Sequence, residues 1–275
     1  MRPLPVVLGL LAMVVSCGSE PAASPRYTAS LTVLEGGGHG PQLCSNIMQS
    51  NPPQCSGPDV VGWDWSKAAH ESLRGVKWGE YRVVGTWDGA RLTLTEPPGA
   101  PVKPPEKEEG DVFASACPEP EGGWRPVDRA KATDQDMDAA IGRAKTAEDY
   151  ANAYVDRLTP LPAHPERLTA DDAENYVLNL RFTGDLAGRE EWIRELWGGA
   201  LCLSNAKHTE AELLAIQRDL EDETKSGKIV YSSAGNMANR VEIGVWVADE
   251  ELKRRLEDRY GADMISIDGM LKPVR

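Results

Sequence analysis

Hydrophobic and polar positions alternate in short runs over the first third of the chain. Tyr27–Leu34 and Tyr81–Trp87 alternate polar and apolar side chains, Arg91–Thr95 follows, and Val60–Trp65 adds a further apolar run. Period-two patterning predicts half-buried strands. Asp88-Gly89 lies between two of these runs and is a strong two-residue hairpin signal. Residues 27–97 are therefore expected to form a small antiparallel β domain, barrel- or sandwich-like, with an OB-like shape as one form. Trp63, Trp65, Trp78 and Trp87 crowd this segment. Two readings stay open for them: large core fillers, or a surface on which a sugar or peptide stacks. Trp63 and Trp65 are expected to share one strand face.

The period lengthens in the second half. Asp134–Arg157 has apolar residues at helical spacing behind Thr133 as N-cap. Asn175–Phe182 reads as a strand, and Gly188–Trp197 as a short helix stopped by Gly198-Gly199. Ala200–Ser204 is then a strand and Thr209–Glu223 an amphipathic helix. Lys228–Ser232 and Arg240–Val247 are strands around the turn Gly235-Asn236. Glu250–Tyr260 is a helix ended by Gly261, and Met264–Ile267 a closing strand. From Ala200 onward the order is β-α-β-β-α-β, which predicts a ferredoxin-like sheet within an α/β domain over residues 133–275. Between the two parts, residues 98–132 hold a Pro/Glu-rich linker and an irregular lead-in. The fold class expected is α+β.

The N-terminus changes the picture. Arg2 precedes an apolar run, Pro5–Val15, which has signal-peptide length and is too short to span a bilayer. Val14-Val15-Ser16-Cys17-Gly18 then resembles the lipobox of bacterial lipoproteins, with Val14 where Leu is preferred. The resemblance implies removal of residues 1–16, a diacylglycerol thioether on Cys17, a membrane partner through that lipid, and an extracytoplasmic body on a tether over residues 17–26. Four cysteines remain, and four allow three pairings. Local pairing favours Cys44–Cys55, leaving Cys117–Cys202; zinc is disfavoured because no C-x-x-C knuckle occurs.

The C-terminal half resembles a domain of uncharacterised actinobacterial lipoproteins. The resemblance rests on Gly199-Ala200-Leu201-Cys202, Glu210-Ala211-Glu212-Leu213, Asn239–Val245 and Arg259-Tyr260-Gly261. Pro52–Pro58 and Val61–Trp65 are similar to the same proteins. It implies a habitat and no activity.

Charge and motifs narrow the chemistry. Thirty Lys+Arg against 43 Asp+Glu give a net charge of -13, which disfavours nucleic acid as a partner. Asp134-x-Asp136-x-Asp138 begins like an EF-hand loop, but Ala139 stands where glycine is needed and Lys145 where a bidentate Glu is needed. An acidic helix N-terminus is the better reading. Gly36–Gly40 reads as a flexible loop rather than a phosphate cradle. His39, His70, His164 and His208 are scattered, and His208 reads as a surface residue at a helix start. No metal, cofactor or catalytic residue is assigned. The leading expectation is a non-enzymatic binding module with an envelope-protein or cell-wall partner. The alternatives are an envelope hydrolase using an acidic pair between the domains, or a protease-inhibitor or propeptide-like domain by fold analogy.

Overall fold

A computed structural model describes residues 24–102, 113–158, 173–235 and 237–274. The expected signal peptide, Cys17, His164, Asn236, Leu168–Asp171 and part of the Pro/Glu-rich segment lie outside the described residues. The protein is mixed α+β, with one large multi-strand sheet and two small ones.

The large sheet is built on two long strands, β1 (Arg26–Gly36) and β5 (Val76–Trp87). They pair antiparallel from Arg26↔Thr86 to Glu35↔Lys77. Around them lie β2 (His39–Cys44), β3 (Asp59–Val61), β4 (Glu71–Leu73) and β6 (Arg91–Leu94). The pairings run β1-β2-β3-β6-β5 and return to β1. Val33, Leu43, Val83 and Leu92 are fully buried inside that ring. The expectation of a purely antiparallel unit is corrected at one point, because β3 and β6 run parallel. Five strands in a closed ring cannot alternate direction all the way round, so one pair must be parallel.

Local sequence explains most of the connections and corrects three expectations. Gly37 and Gly38 sit at φ +64° and +91°, so the glycine run is a tight β1–β2 hairpin instead of a flexible loop. In the β5–β6 hairpin the central pair is Gly89-Ala90, with Gly89 at φ +99°. Asp88 stands before that pair, and its Oδ1 accepts the N–H groups of Ala90 and Arg91 at 2.9 and 2.7 Å. The run Val60–Trp65 stops being a strand at Val61. Gly62 turns the chain at φ +85°, and Asp64 caps a 3-10 turn over Trp65–Lys67. Trp63 and Trp65 therefore share no strand face. Both still pack against the barrel core, edge to face at 5.2 Å, with Trp63 edge-on to Tyr81 at 4.9 Å.

In the second half the helical reading of Asp134–Arg157 holds only as far as Ala144. It divides into α1 (Asp134–Ala144) and β7 (Tyr150–Arg157). Tyr150 and Ala151 are buried, and β7 pairs with β8 (Tyr176–Phe182) from Tyr150↔Phe182 to Arg157↔Tyr176, so tertiary pairing overrides the helical spacing. After α2 (Arg189–Arg194), β9 (Ala200–Asn205) runs parallel to β8. Then follow α3 (Glu210–Asp219), α4 (Glu221–Lys225), β10 (Tyr231–Ser233), β11 (Val241–Val245), α5 (Glu250–Tyr260) and β12 (Ile265–Gly269).

The ferredoxin-like sheet expected from residue 200 onward does not form. β9 belongs to the sheet β7-β8-β9, and β10-β11-β12 is a separate sheet. The cause is β8, whose backbone groups take β9 into parallel register from Val177↔Ala200 to Phe182↔Asn205 and keep it from β11. The order α-β-β-α-β is instead used twice, each time as an antiparallel hairpin followed by a parallel third strand. Both units open with the same device. Ala130-Lys131-Ala132-Thr133 and Ala206-Lys207-His208-Thr209 lead into capping boxes closed by Asp136 and Glu212. Each unit has its own core, with Leu178, Phe182, Ile193 and Trp197 in the first and Leu213, Ile243 and Leu256 in the second.

The C-terminus returns to the barrel. Leu271, 1% exposed, lies in the barrel core, and β13 (Lys272–Pro273) pairs antiparallel with β1.

Candidate functional site

Both expected disulfides are present. Cys44–Cys55 and Cys117–Cys202 each span 5.7 Å between Cα atoms. Thiols oxidised in pairs belong to an oxidising compartment, which points to an extracytoplasmic location. No described helix is long and apolar enough to cross a membrane.

The first disulfide shapes a cleft. It ties the end of β2 to the chain before β3 and closes a lobe that Met48 and Gln54 bridge across. At the base of the lobe, Leu43 donates to the Pro58 carbonyl at 2.9 Å. A Cβ on Gly57 would run into the Leu43 carbonyl, so only glycine permits that approach. The facing wall is the turn from α4 to β10. There Glu223 accepts two hydrogen bonds from the Arg255 guanidinium at 2.9 and 2.7 Å, fastening α4 to α5. Those bonds hold the Glu223 carboxyl below the usual carboxylate range.

Between the two walls lies a space of about 660 Å³. Its inner side carries Trp87, at the end of β5, and Trp246, just after β11. Their rings are 6.3 Å apart and tilted by 33°. Both indoles are half-buried, with one side against the barrel core, and neither indole N–H is hydrogen-bonded to another described residue. The walls add Ser45, Asn46, Ser56, Thr224 and Ser226. Thr224 and Ser226 donate their hydroxyls to the Leu220 and Glu223 carbonyls, both at 3.0 Å. Lys225 is the one cationic side chain of the lining among the described residues, 3.4 Å from Glu221, and no carboxylate or imidazole lines the space. At the rim, Asp88 is held below its ordinary range, first by the Ala90 N–H and then by that of Arg91.

The other residues singled out by sequence are dispersed. Asp134 and Asp136 occupy the first turn of α1, where Asp136 closes the capping box, so the acidic triplet serves the helix N-terminus. Trp63 and Trp65 are half-buried and pack against the barrel core, and Trp65 donates to Glu35 at 2.7 Å. Of the crowded tryptophans, Trp87 reaches the cleft. His208 corrects the surface reading, because it is 9% exposed. Its backbone is clamped by Asn239, and its ring lies 3.5 Å from Asp263. Among the described residues, no group of three or more His, Cys, Asp or Glu side chains could hold a metal ion. Sequence reasoning missed Trp246, which sits in an apolar strand run and shows its role only when β11 meets the barrel. No family model matches the chain, and no curated protein or solved structure matches it.

Proposed function

We propose that this chain is a lipoprotein of the actinobacterial type noted above, anchored through diacylglyceryl Cys17. Outside the membrane it would serve as a non-enzymatic binding module for an envelope component. The observation that carries the reading is the cleft at the junction of the barrel and the second α-β-β-α-β unit, where a disulfide-held lobe faces a fastened helix across two indoles. Concave, partly aromatic sites with a few convergent polar groups are where ligands bind. The lipobox and the two disulfides support the address. An OB-like barrel is part of the same reading, supported by the closed pairing order with one parallel pair. A hydrolase would need two carboxylates roughly 5–10 Å apart facing its substrate, and the described lining of this cleft offers hydroxyls and indoles instead.

Two measurements test the proposal. The intact mass of the protein from the host membrane fraction should match residues 17–275 plus acyl chains, and Cys17→Ser should remain unprocessed or leave the membrane. A mature form without lipid overturns the anchor. A photo-crosslinking side chain placed at exposed Ser56 should shift to a heavier adduct on living cells, while one at exposed Asp258 on α5 should not. Equal behaviour at the two positions overturns the binding-module reading.

A further inference from the structure

We infer that the ligand of the Trp87–Trp246 cleft is a neutral oligosaccharide. The inference rests on the binding-module reading and adds the chemistry of what is bound. Three observations lead to it.

The first is charge. Among the described residues the lining offers no carboxylate for a cationic group, and its one cation, Lys225, already lies 3.4 Å from Glu221. The whole chain carries -13, so an anionic polymer is repelled before it arrives. A ligand without net charge meets neither cost.

The second is the aromatic floor. Pyranose rings present patches of C–H bonds on their faces and hydroxyls around their edges. An indole accepts such a face by apolar contact while its N–H is left for an edge hydroxyl. Trp87 and Trp246 are two such rings, contributed by two different parts of the chain. Their 33° tilt and 6.3 Å separation make a shallow angled floor, and their N–H groups are uncommitted within the described protein.

The third is the polar rim. Ser45, Asn46 and Ser56 lie along the disulfide-held lobe with side chains that no described residue engages. Hydroxyl and amide groups both donate and accept, which suits a ligand that is itself a set of hydroxyls. A peptide would instead be expected to use a sheet edge for its backbone, and the described lining is mostly loops and a helix end, with the last residue of β5 and the residue before β10 as its strand margin.

Soluble β-1,4 tetramers of N-acetylglucosamine, glucose and mannose, with a uronic acid oligomer as the anionic comparator, are the probes. Each is titrated into the full disulfide-bonded chain while tryptophan fluorescence is followed. At least one neutral tetramer is expected to give a saturable change. Trp246→Ala should weaken that binding about tenfold or more, in the manner of a central aromatic contact. Because Trp246 also packs on the barrel, Ser56→Trp is the companion variant: it fills the cleft from an exposed position and should weaken binding comparably with an unchanged melting temperature. Three results would each overturn the inference: no saturable change with any neutral tetramer, preference for the uronate, or binding that Ser56→Trp leaves intact. A polypeptide adduct at Ser56 on cells, with no tetramer bound, would overturn the sugar and leave the binding module standing. Absence of both would overturn the two together.

Discussion

Asn239 is a buried polar residue whose side chain makes three hydrogen bonds. It is 4% exposed and sits at φ +56°, a left-handed conformation that asparagine tolerates better than most residues. Its Oδ1 accepts from the Lys207 and His208 N–H groups at 2.9 Å each, and its Nδ2 donates to the His208 carbonyl at 2.8 Å. It thereby holds the entry to α3 against the entry to β11. Asn239→Ala removes the acceptor shared by the Lys207 and His208 N–H groups and places at φ +56° a residue that tolerates left-handed geometry less well than asparagine. A loss of about 3 kcal/mol is expected, read from chemical denaturation. Asn239→Gly relieves the backbone and not the bonds, so it should recover only about 1 kcal/mol of that loss. Full recovery would mean that the hydrogen bonds contribute nothing. None of this was legible in the sequence, where Asn239 is one polar residue before an apolar run. The cap Thr133 was more visible, because an N-cap acts on its own next three residues; Thr209 was read as the first residue of its helix and is instead its cap.

At the scale of elements, the chain reads well where a segment's environment is set by its neighbours in sequence and poorly where it is set from afar. The α5 helix matches its pattern end to end, with Asp249 capping it by accepting from Leu252 N–H at 2.8 Å. Residues 150–157 carry helical spacing and form a strand, because β8 offers them a full register. The ferredoxin-like grouping failed for the same kind of reason, and the inhibitor reading loses the sheet it rested on. β13 is the extreme case. Two residues pair with β1, at the other end of the chain, and bring Leu271 into the barrel core. Leu271→Ala should cost about 3 kcal/mol. Amide exchange should speed up in β1 and β5 before it does in β7 and β8. Equal acceleration throughout would show that the barrel is not a separate cooperative unit.

For the whole molecule, the disulfides and the shared cleft tie together elements that sequence leaves apart. Cys117–Cys202 joins positions 85 residues apart and fastens the lead-in, with Trp124, onto Val177 and Ala200. Closing a loop of that length restricts the unfolded chain, and the paired variant Cys117→Ser/Cys202→Ser should lose about 2–5 kcal/mol. Loss of Cys44–Cys55 should act more locally, through the lobe that walls the cleft. Thermal melts of the two paired variants under oxidising conditions compare these effects. The expectation fails if the 44–55 pair proves the costlier.

By itself, the sequence determined what depends on chemistry or on short range: the even cysteine count, the charge, the Thr133 cap and the hairpin around Asp88-Gly89. Such features need only a few adjacent residues, or a count. The tertiary structure alone decided which strands share a sheet, since any strand can satisfy its backbone with several partners and the choice is made by packing. It also decided that His208 is buried and that Trp63 and Trp65 serve the core. Trp87 and Trp246 line one cleft only because the second unit closes against the barrel, a contact between residues 159 positions apart that no local pattern encodes.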